Sequence, residues 1–352
     1  MLSQKEINLA FRVLDANYNR AVEGLRAVEE YFRFIASNAK ITSEIKNLRH
    51  RIAACCSEYI DDWASQRNSG EDIGAAISAP DEYSRQSFSS IVSANLARVN
   101  QALRAMEEYA KAACPELSPG IESIRYEFYE VEKVSKRAGL VVKTLGEKNV
   151  YVLTSACSTA EDFEKRVEAL CKAGADVIQL REKNVDDAVL LERARIAANS
   201  CSNTDTLFIV NDRPDIALLS GADGVHVGQE EIPIADLRRM LPAKMLVGVS
   251  THSLDQALKA ESEGADYIGV GPTFPSKTKC FSEFMGPELL KAVAENVSVP
   301  AYAIGGINMS NLEKVVEAGI HRVAVSNVIH SAEDSGKIIQ SIKDILVGPN
   351  EN

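Results

Sequence analysis

At 352 residues with 45% hydrophobic side chains, the chain can bury two domain cores, and its composition excludes a disordered or fibrous protein. Its net charge of −11 argues against nucleic acid or an anionic membrane as the main partner. A small phosphorylated ligand stays open, because it needs only a local cluster of cations and backbone N–H groups.

The charged first residues, "MLSQKEINLAFR", do not read as a signal peptide, and no apolar run reaches the ~18 residues of a membrane span. The seven cysteines form no CxxC pair, so reduced thiols in a cytoplasmic protein are expected rather than a zinc or disulfide framework.

From about Ile7 to Arg137 the apolar period is helical. Leu14, Ala21, Leu25, Val28, Phe32 and Ile35 form one amphipathic stripe, and Val92, Leu96, Val99, Leu103, Met106 and Ala110 form another. The two stripes lie in related segments, "ANYNRAVEGLRAVEEYFRF" and "ANLARVNQALRAMEEYAKA". Asn17 aligns with Asn95, Arg20 with Arg98, Arg26 with Arg104, and Glu29, Glu30 and Tyr31 with Glu107, Glu108 and Tyr109. A shorter helix follows each copy, so a duplicated four-helix bundle is predicted over residues 1–140, with a long loop in "QRNSGEDIGAAISAPDEYSRQS". The repeated polar residues have two readings: a buried network that aligns the copies, which we favour, or a pseudo-symmetric anion site built from Arg20, Arg26, Arg98 and Arg104.

After Gly139 short apolar strands alternate with helices, and the boundary is placed in "RAGLVVKTLGEK". Strands are predicted at residues 150–154, 176–180, 207–212, 224–228, 246–250, 267–272, 301–306 and 322–327. Strands that are apolar on both faces belong to a parallel sheet. Eight β-α units over 141–352 predict an α/β fold, a (β/α)₈ TIM barrel preceded by the all-α bundle. No GxGxxG follows the first strand, which weakens the dinucleotide-binding alternative.

Such a barrel works at the carboxyl ends of its strands. There the chain carries "QLREK", "NDRPD", "HVGQEE", "GVSTH", "GPTFPSKTK", "IGGI" and "VSN". Cations beside carboxylates suit a polyphosphate held with a divalent metal, and the "IGGI" turn with the last strand end suits a second phosphate. Each residue also has a plain reading. Arg181 and Glu182 could be a surface ion pair, Asp212 or Ser326 a helix cap, and Gly305–Gly306 a tight turn. His226, between Val225 and Val227, reads as a core histidine and is left out of the catalytic set; His252 is undecided, and Cys280 beside Lys279 is read as incidental.

Together these motifs, in this order from Asn149 to Leu346, resemble the thiamine-phosphate synthase family. That resemblance implies condensation of 4-amino-2-methyl-5-(diphosphooxymethyl)pyrimidine with 4-methyl-5-(2-phosphoethyl)thiazole, releasing pyrophosphate with Mg²⁺ as cofactor. It implies that Gln179, Leu180, Arg181, Glu182, Lys183, Asn211, Ser250 and Lys279 hold the pyrimidine pyrophosphate, with Arg181, Lys183 and Lys279 catalytic. It assigns Ser276, Lys277, Thr278, Gly306, Val325 and Ser326 to the thiazole phosphate, and Asp212 and Glu231 to the metal. Two residues depart from the family pattern: Glu231 stands where an aspartate is usual, and Lys277 where a proline is usual. The rivals are a thiazole tautomerase on the same fold, disfavoured by the retained pyrophosphate-binding residues, and a thiamine-precursor sensor. The N-terminal region resembles a helical domain found ahead of some such synthases, suspected of acting on the same pyrimidine phosphate, for instance as its kinase. No GxxxxGK[ST] loop supports a kinase. Retention or delivery of the pyrimidine, or oligomerisation in a homo-oligomer, are the other readings.

Overall fold

In the computed structural model, which describes residues 2–68, 84–275 and 285–347, the chain divides into two units, Met1–Lys143 and Thr144–Asn352. The first is all helical: α1 (Gln4–Glu30), α2 (Ala39–Cys56), α3 (Ile60–Ser65), α4 (Phe88–Ala113) and α5 (Ser118–Leu145). The division falls within "RAGLVVKTLGEK", and helix α5 runs through residue 140 to Leu145; a single glycine, Gly139, does not break it.

Serines at positions 3 and 87 start the duplicated helices. Each hydroxyl accepts the N–H of the third helical residue, whose side chain in turn reaches the cap N–H. Leu14, Ala21, Leu25, Val28 and Phe32 are buried, as are Val92, Leu96, Val99, Leu103, Met106 and Ala110. Ile35 is the exception, at 47% exposure. A π-helical turn at Tyr31–Ile35, in which Ala36 N–H bonds Tyr31 O at 3.0 Å, shifts the helical phase and turns Ile35 outward. Helices α1 and α4 pack tightly at Gly24, where a Cβ would lie 2.8 Å from Val99 Cγ2.

The polar half of the repeat is part of this packing. Asn17 and Asn95 donate to the carbonyls of Val13 and Ile91, one turn back, at 2.8 and 2.9 Å. Glu29, 3% exposed, accepts from Arg26 at 3.3 Å and from Arg49 of α2 at 3.0 Å. Glu107, 1% exposed, accepts from Arg104 at 3.0 Å, Lys111 at 2.8 Å and Arg125 of α5 at 2.6 Å. Burial would raise the Glu107 carboxyl, but hydrogen bonds from Lys111 and Arg125 outweigh it and hold the group at about 2. Each copy therefore buries one carboxylate and answers it with its own arginine and one from the following helix. This engages Arg26 and Arg104, two of the four arginines an anion site would need, and favours the scaffold reading.

The second unit is a closed parallel barrel with its strands in chain order. These are β1 (Val150–Thr154), β2 (Val177–Leu180), β3 (Leu207–Asn211), β4 (Gly224–Val227), β5 (Leu246–Thr251), β6 (Tyr267–Val270), β7 (Ala301–Ile304) and β8 (Val323–Val325). Around it lie α6 (Ala160–Lys172), α7 (Asp187–Ser202), α8 (Pro214–Ser220), α9 (Ile234–Met240) and α10 (Leu254–Ser262). Helices α11 (Gly286–Asn296), α12 (Leu312–Glu317), α13 (Asn327–His330) and α14 (Ser335–Val347) complete the layer. Eight strands alternating with helices are what the apolar rhythm predicts.

Alternate strand residues face the helices. Val152, Ile178, Val210, Val225, Val249 and Ile268 share one buried cluster with Phe163, Val167, Leu190 and Val293. Each such side chain contributes roughly 1.5–3 kcal/mol of transfer free energy. At the amino ends, Asp176, Asp223 and Asp266 stand just before β2, β4 and β6 and accept backbone N–H groups of β1, β3 and β5. Carboxylates there pin strand register and leave the opposite face for chemistry. No helix among the described residues is long and apolar enough to cross a membrane.

Candidate active site

The residues between the helix-facing ones point inward. Tyr151 of β1, Tyr267 of β6 and Tyr302 of β7 meet ring to ring, with centroids 5.3–5.9 Å apart, and His226 of β4 lies 5.5 Å from Tyr267. Glycines make this interior possible. A Cβ on Gly248 would fall 2.1 Å from the Tyr267 ring, so β5 has to be bare at that level. Gln179 and Ser250 stand on the same inward face of β2 and β5, Gln179 3% exposed and bonded to Tyr151 at 2.8 Å. Burial pushes the His226 imidazole down to about 4; Asp212 raises it and Arg181 lowers it, the first effect dominating. The ring is therefore neutral near pH 7.

Above this layer the loops after β2 and β3 meet. Lys183 Nζ lies 3.5 Å from Asp212 Oδ2. Asp212 has φ +59°, a left-handed conformation tolerated by aspartate, and its N–H bonds His226 O at 2.8 Å. It does not cap α8, whose cap position belongs to Arg213. Glu182 makes no surface pair with Arg181; it accepts the N–H groups of Lys183 and Asn184 and lines a hollow of about 630 Å³ with Ser155, Cys157, Ser158, Asp162 and Arg166. Asn211 is buried at the end of β3. After β4, Gln229 donates to Ser250 O at 2.6 Å, and Glu231 is exposed on the same turn. His252 bonds Gly271 O through Nδ1.

On the other side of the mouth, Gly305 and Gly306 have φ of +96° and +67°. The chain after β6 folds against them: Thr273 donates to Ile304 O and Phe274 to Gly305 O. A Cβ on Gly306 would come within 2.4 Å of Phe274 O, so this is a close approach between two loops as well as a turn. Ser326 precedes α13 without capping it and donates to Leu153 O at 3.0 Å, tying β8 to β1. Leu180 and Val325 bury their side chains in the barrel–helix core, which leaves only their backbone groups to meet a ligand. Ser276, Lys277, Thr278, Lys279 and Cys280 lie outside the described residues.

A carboxylate pair on neighbouring loops, Asp212 and Glu231, suits Mg²⁺, which keeps several waters and takes one or two protein carboxylates together with phosphate oxygens. Among the described residues no cluster of three or more His, Cys, Asp or Glu side chains offers an all-protein metal cage. His226, Tyr151 and Tyr267 are the interior residues that motif reading passed over. The signal was in the strands: polar side chains at Tyr151, Gln179, Asn211, His226, Ser250 and Tyr267 alternate with the helix-facing valines.

A closed parallel barrel with cations, carboxylates and glycine turns on its strand ends has the build of a (β/α)₈ enzyme. Comparison with known proteins narrows the class. Residues 150–329 match the family model described as thiamine monophosphate synthase, and residues 12–134 match the ThiD2 family. A thiamine-phosphate synthase of Rhodopirellula baltica is 40% identical, aligned over 98% of this chain and 95% of the relative. One from Nostoc punctiforme is 38% identical over 96% and 95%. The solved thiamine phosphate pyrophosphorylase of Pyrococcus furiosus, 33% identical, superimposes with a TM-score of 0.50 over 57% of this chain and 96% of its own. The chain belongs to the thiamine-phosphate synthase family. It is a transferase of thiamine biosynthesis, and its helical segment is shared with the full-length relatives.

Proposed function

We propose that the barrel mouth joins the pyrimidine pyrophosphate to the thiazole phosphate by letting pyrophosphate leave before the thiazole nitrogen attacks. The 3.5 Å approach of Lys183 to Asp212 carries this reading, because it sets a cation and a carboxylate side by side on adjacent strand ends. Arg181, Lys183 and Lys279 would neutralise the charge that grows on the departing pyrophosphate. Asp212 and Glu231 would hold Mg²⁺, which when bound adds positive charge at the same oxygens. Gln179, Asn211 and Ser250 would orient the pyrimidine, whose amino group can delocalise the cation left behind. Gly306 and Ser326, with Ser276 and Thr278, would seat the thiazole phosphate.

This scheme needs no protein nucleophile and no strong general base. The enzyme contributes orientation and preorganised charge. A coupled assay of pyrophosphate release in the presence of both substrates tests it. Release that requires both substrates and Mg²⁺ is expected; turnover of the thiazole phosphate alone, without pyrophosphate, would point to the tautomerase.

A further inference from the structure

The barrel interior holds a continuous chain of hydrogen bonds that joins two of the residues assigned to the pyrimidine pyrophosphate. Gln179 Nε2 donates to Tyr151 OH at 2.8 Å. Tyr151 OH is 3.1 Å from Tyr267 OH, which is 3.3 Å from His226 Nδ1. His226 Nε2 is 3.0 Å from Ser250 Oγ. Tyr302 packs against both other phenols but sends its own hydroxyl to Lys148 O, so it does not branch the chain.

Proton counting gives this chain a direction. Each phenol has one proton, and a neutral imidazole has one N–H. Tyr151, accepting from Gln179, has its proton left for Tyr267. Tyr267, accepting from Tyr151, has its proton left for His226 Nδ1. That nitrogen must then be the acceptor, which puts the imidazole proton on Nε2, facing Ser250 Oγ. Ser250 accepts it and keeps its own O–H for whatever enters the mouth.

We propose that Tyr151, Tyr267 and His226 form a one-way hydrogen-bond relay that fixes His226 as the Nε2–H tautomer and presents Ser250 as a hydrogen-bond donor to the pyrimidine pyrophosphate. The three are positioning residues: they act through Ser250 and Gln179. Turning the Gln179 amide over would reverse every bond and leave Ser250 with no hydrogen to offer the substrate. The inference rests on the assignment of Ser250 to this substrate.

The test uses the full-length enzyme. Nitrogen-15 NMR of the histidine rings, with His226→Gln to identify the signal, should show the Nε2–H tautomer in the wild type. In Tyr267→Phe, which removes the donor to Nδ1 and keeps the ring, that preference should be lost. An Nδ1–H tautomer in the wild type, or an unchanged one in Tyr267→Phe, overturns the relay. Kinetically, Tyr267→Phe and Tyr151→Phe should each raise KM for the pyrimidine pyrophosphate roughly fivefold to tenfold, the scale of one neutral hydrogen bond, and leave KM for the thiazole phosphate unchanged. Made in a Ser250→Ala background, Tyr267→Phe should add nothing further. Additive effects, or equal changes in both KM values, mean that Tyr267 only packs, and overturn the proposal. Ser250→Ala with an unchanged KM and an intact tautomer overturns the ligand step alone and leaves the family's reaction standing.

Discussion

Lys183 Nζ and Asp212 Oδ2 lie 3.5 Å apart across the ends of β2 and β3. The lysine is 55% exposed, so the pair is screened and adds little to stability. Its value lies in the site. Lys183→Ala is expected to lower kcat by about 10²–10³, the scale of losing one preorganised charge contact in a transition state. The melting temperature should move by no more than about 2–4 °C. Pyrophosphate-release kinetics beside a thermal melt check both halves.

Glu231, one methylene longer than the aspartate that the resemblance leads one to expect there, is the proposed second carboxylate for Mg²⁺. Glu231→Ala is expected to raise the Mg²⁺ concentration for half-maximal activity by about 10–100-fold, with kcat at saturating Mg²⁺ reduced much less. A Mg²⁺ titration of activity checks this. An unchanged titration would remove Glu231 from the metal site.

Gly306→Ala combines a left-handed backbone with a Cβ that would meet Phe274 O at 2.4 Å and Pro275 O at 2.5 Å. The substitution should cost about 1–3 kcal/mol of stability from the backbone alone. By pushing the chain after β6 off the β7 turn, it should raise KM for the thiazole phosphate more than KM for the pyrimidine pyrophosphate. A chemical denaturation curve and the two KM values decide it.

Glu107 is the buried carboxylate of the second repeat. Glu107→Ala would leave Arg125, itself 7% exposed, without its carboxylate partner and with only Tyr129 to accept from it, and is expected to destabilise the helical unit by about 3 kcal/mol. The pH dependence follows from the sign of the shift. The folded carboxyl is held near 2 against an ordinary value of 4.5, so its contribution is complete above 4.5 and is lost as pH falls from there toward 2. In melts followed by circular dichroism, the gap between wild type and Glu107→Gln should be smaller at pH 3 than at pH 6.

Much of the architecture is legible in the sequence. The eight strands differ from the predicted spans by only a few residues at their ends, because both faces of each are buried and a run of valines and isoleucines has few other ways to fold. The mouth motifs were legible for a related reason: loops at strand ends carry little packing burden, so arginine, lysine, asparagine and aspartate there stand out against the apolar strands. Two readings near the helices failed through phase and continuity. Ile35 fits the amphipathic stripe, yet a five-residue turn rotates it out, and the change of rhythm after Gly139 falls inside α5, which continues to Leu145.

By itself, then, the sequence determined the barrel, the duplicated bundle and the chemical character of the mouth, since apolar period and residue type are local properties that a single chain displays in order. Only the tertiary structure decided what the polar residues of the interior and of the repeat do. Glu29 and Glu107, each with an arginine three residues before it in its own helix, became buried ion-pair centres because the following helices bring Arg49 and Arg125 to the same carboxylates. His226, plain between two valines, became the link between Tyr267 and Ser250 because the curved sheet sets β5 between β4 and β6, with Gly248 leaving room for the Tyr267 ring. Hydrogen bonds between residues far apart in the chain leave no period to read; they exist only once the strands have closed.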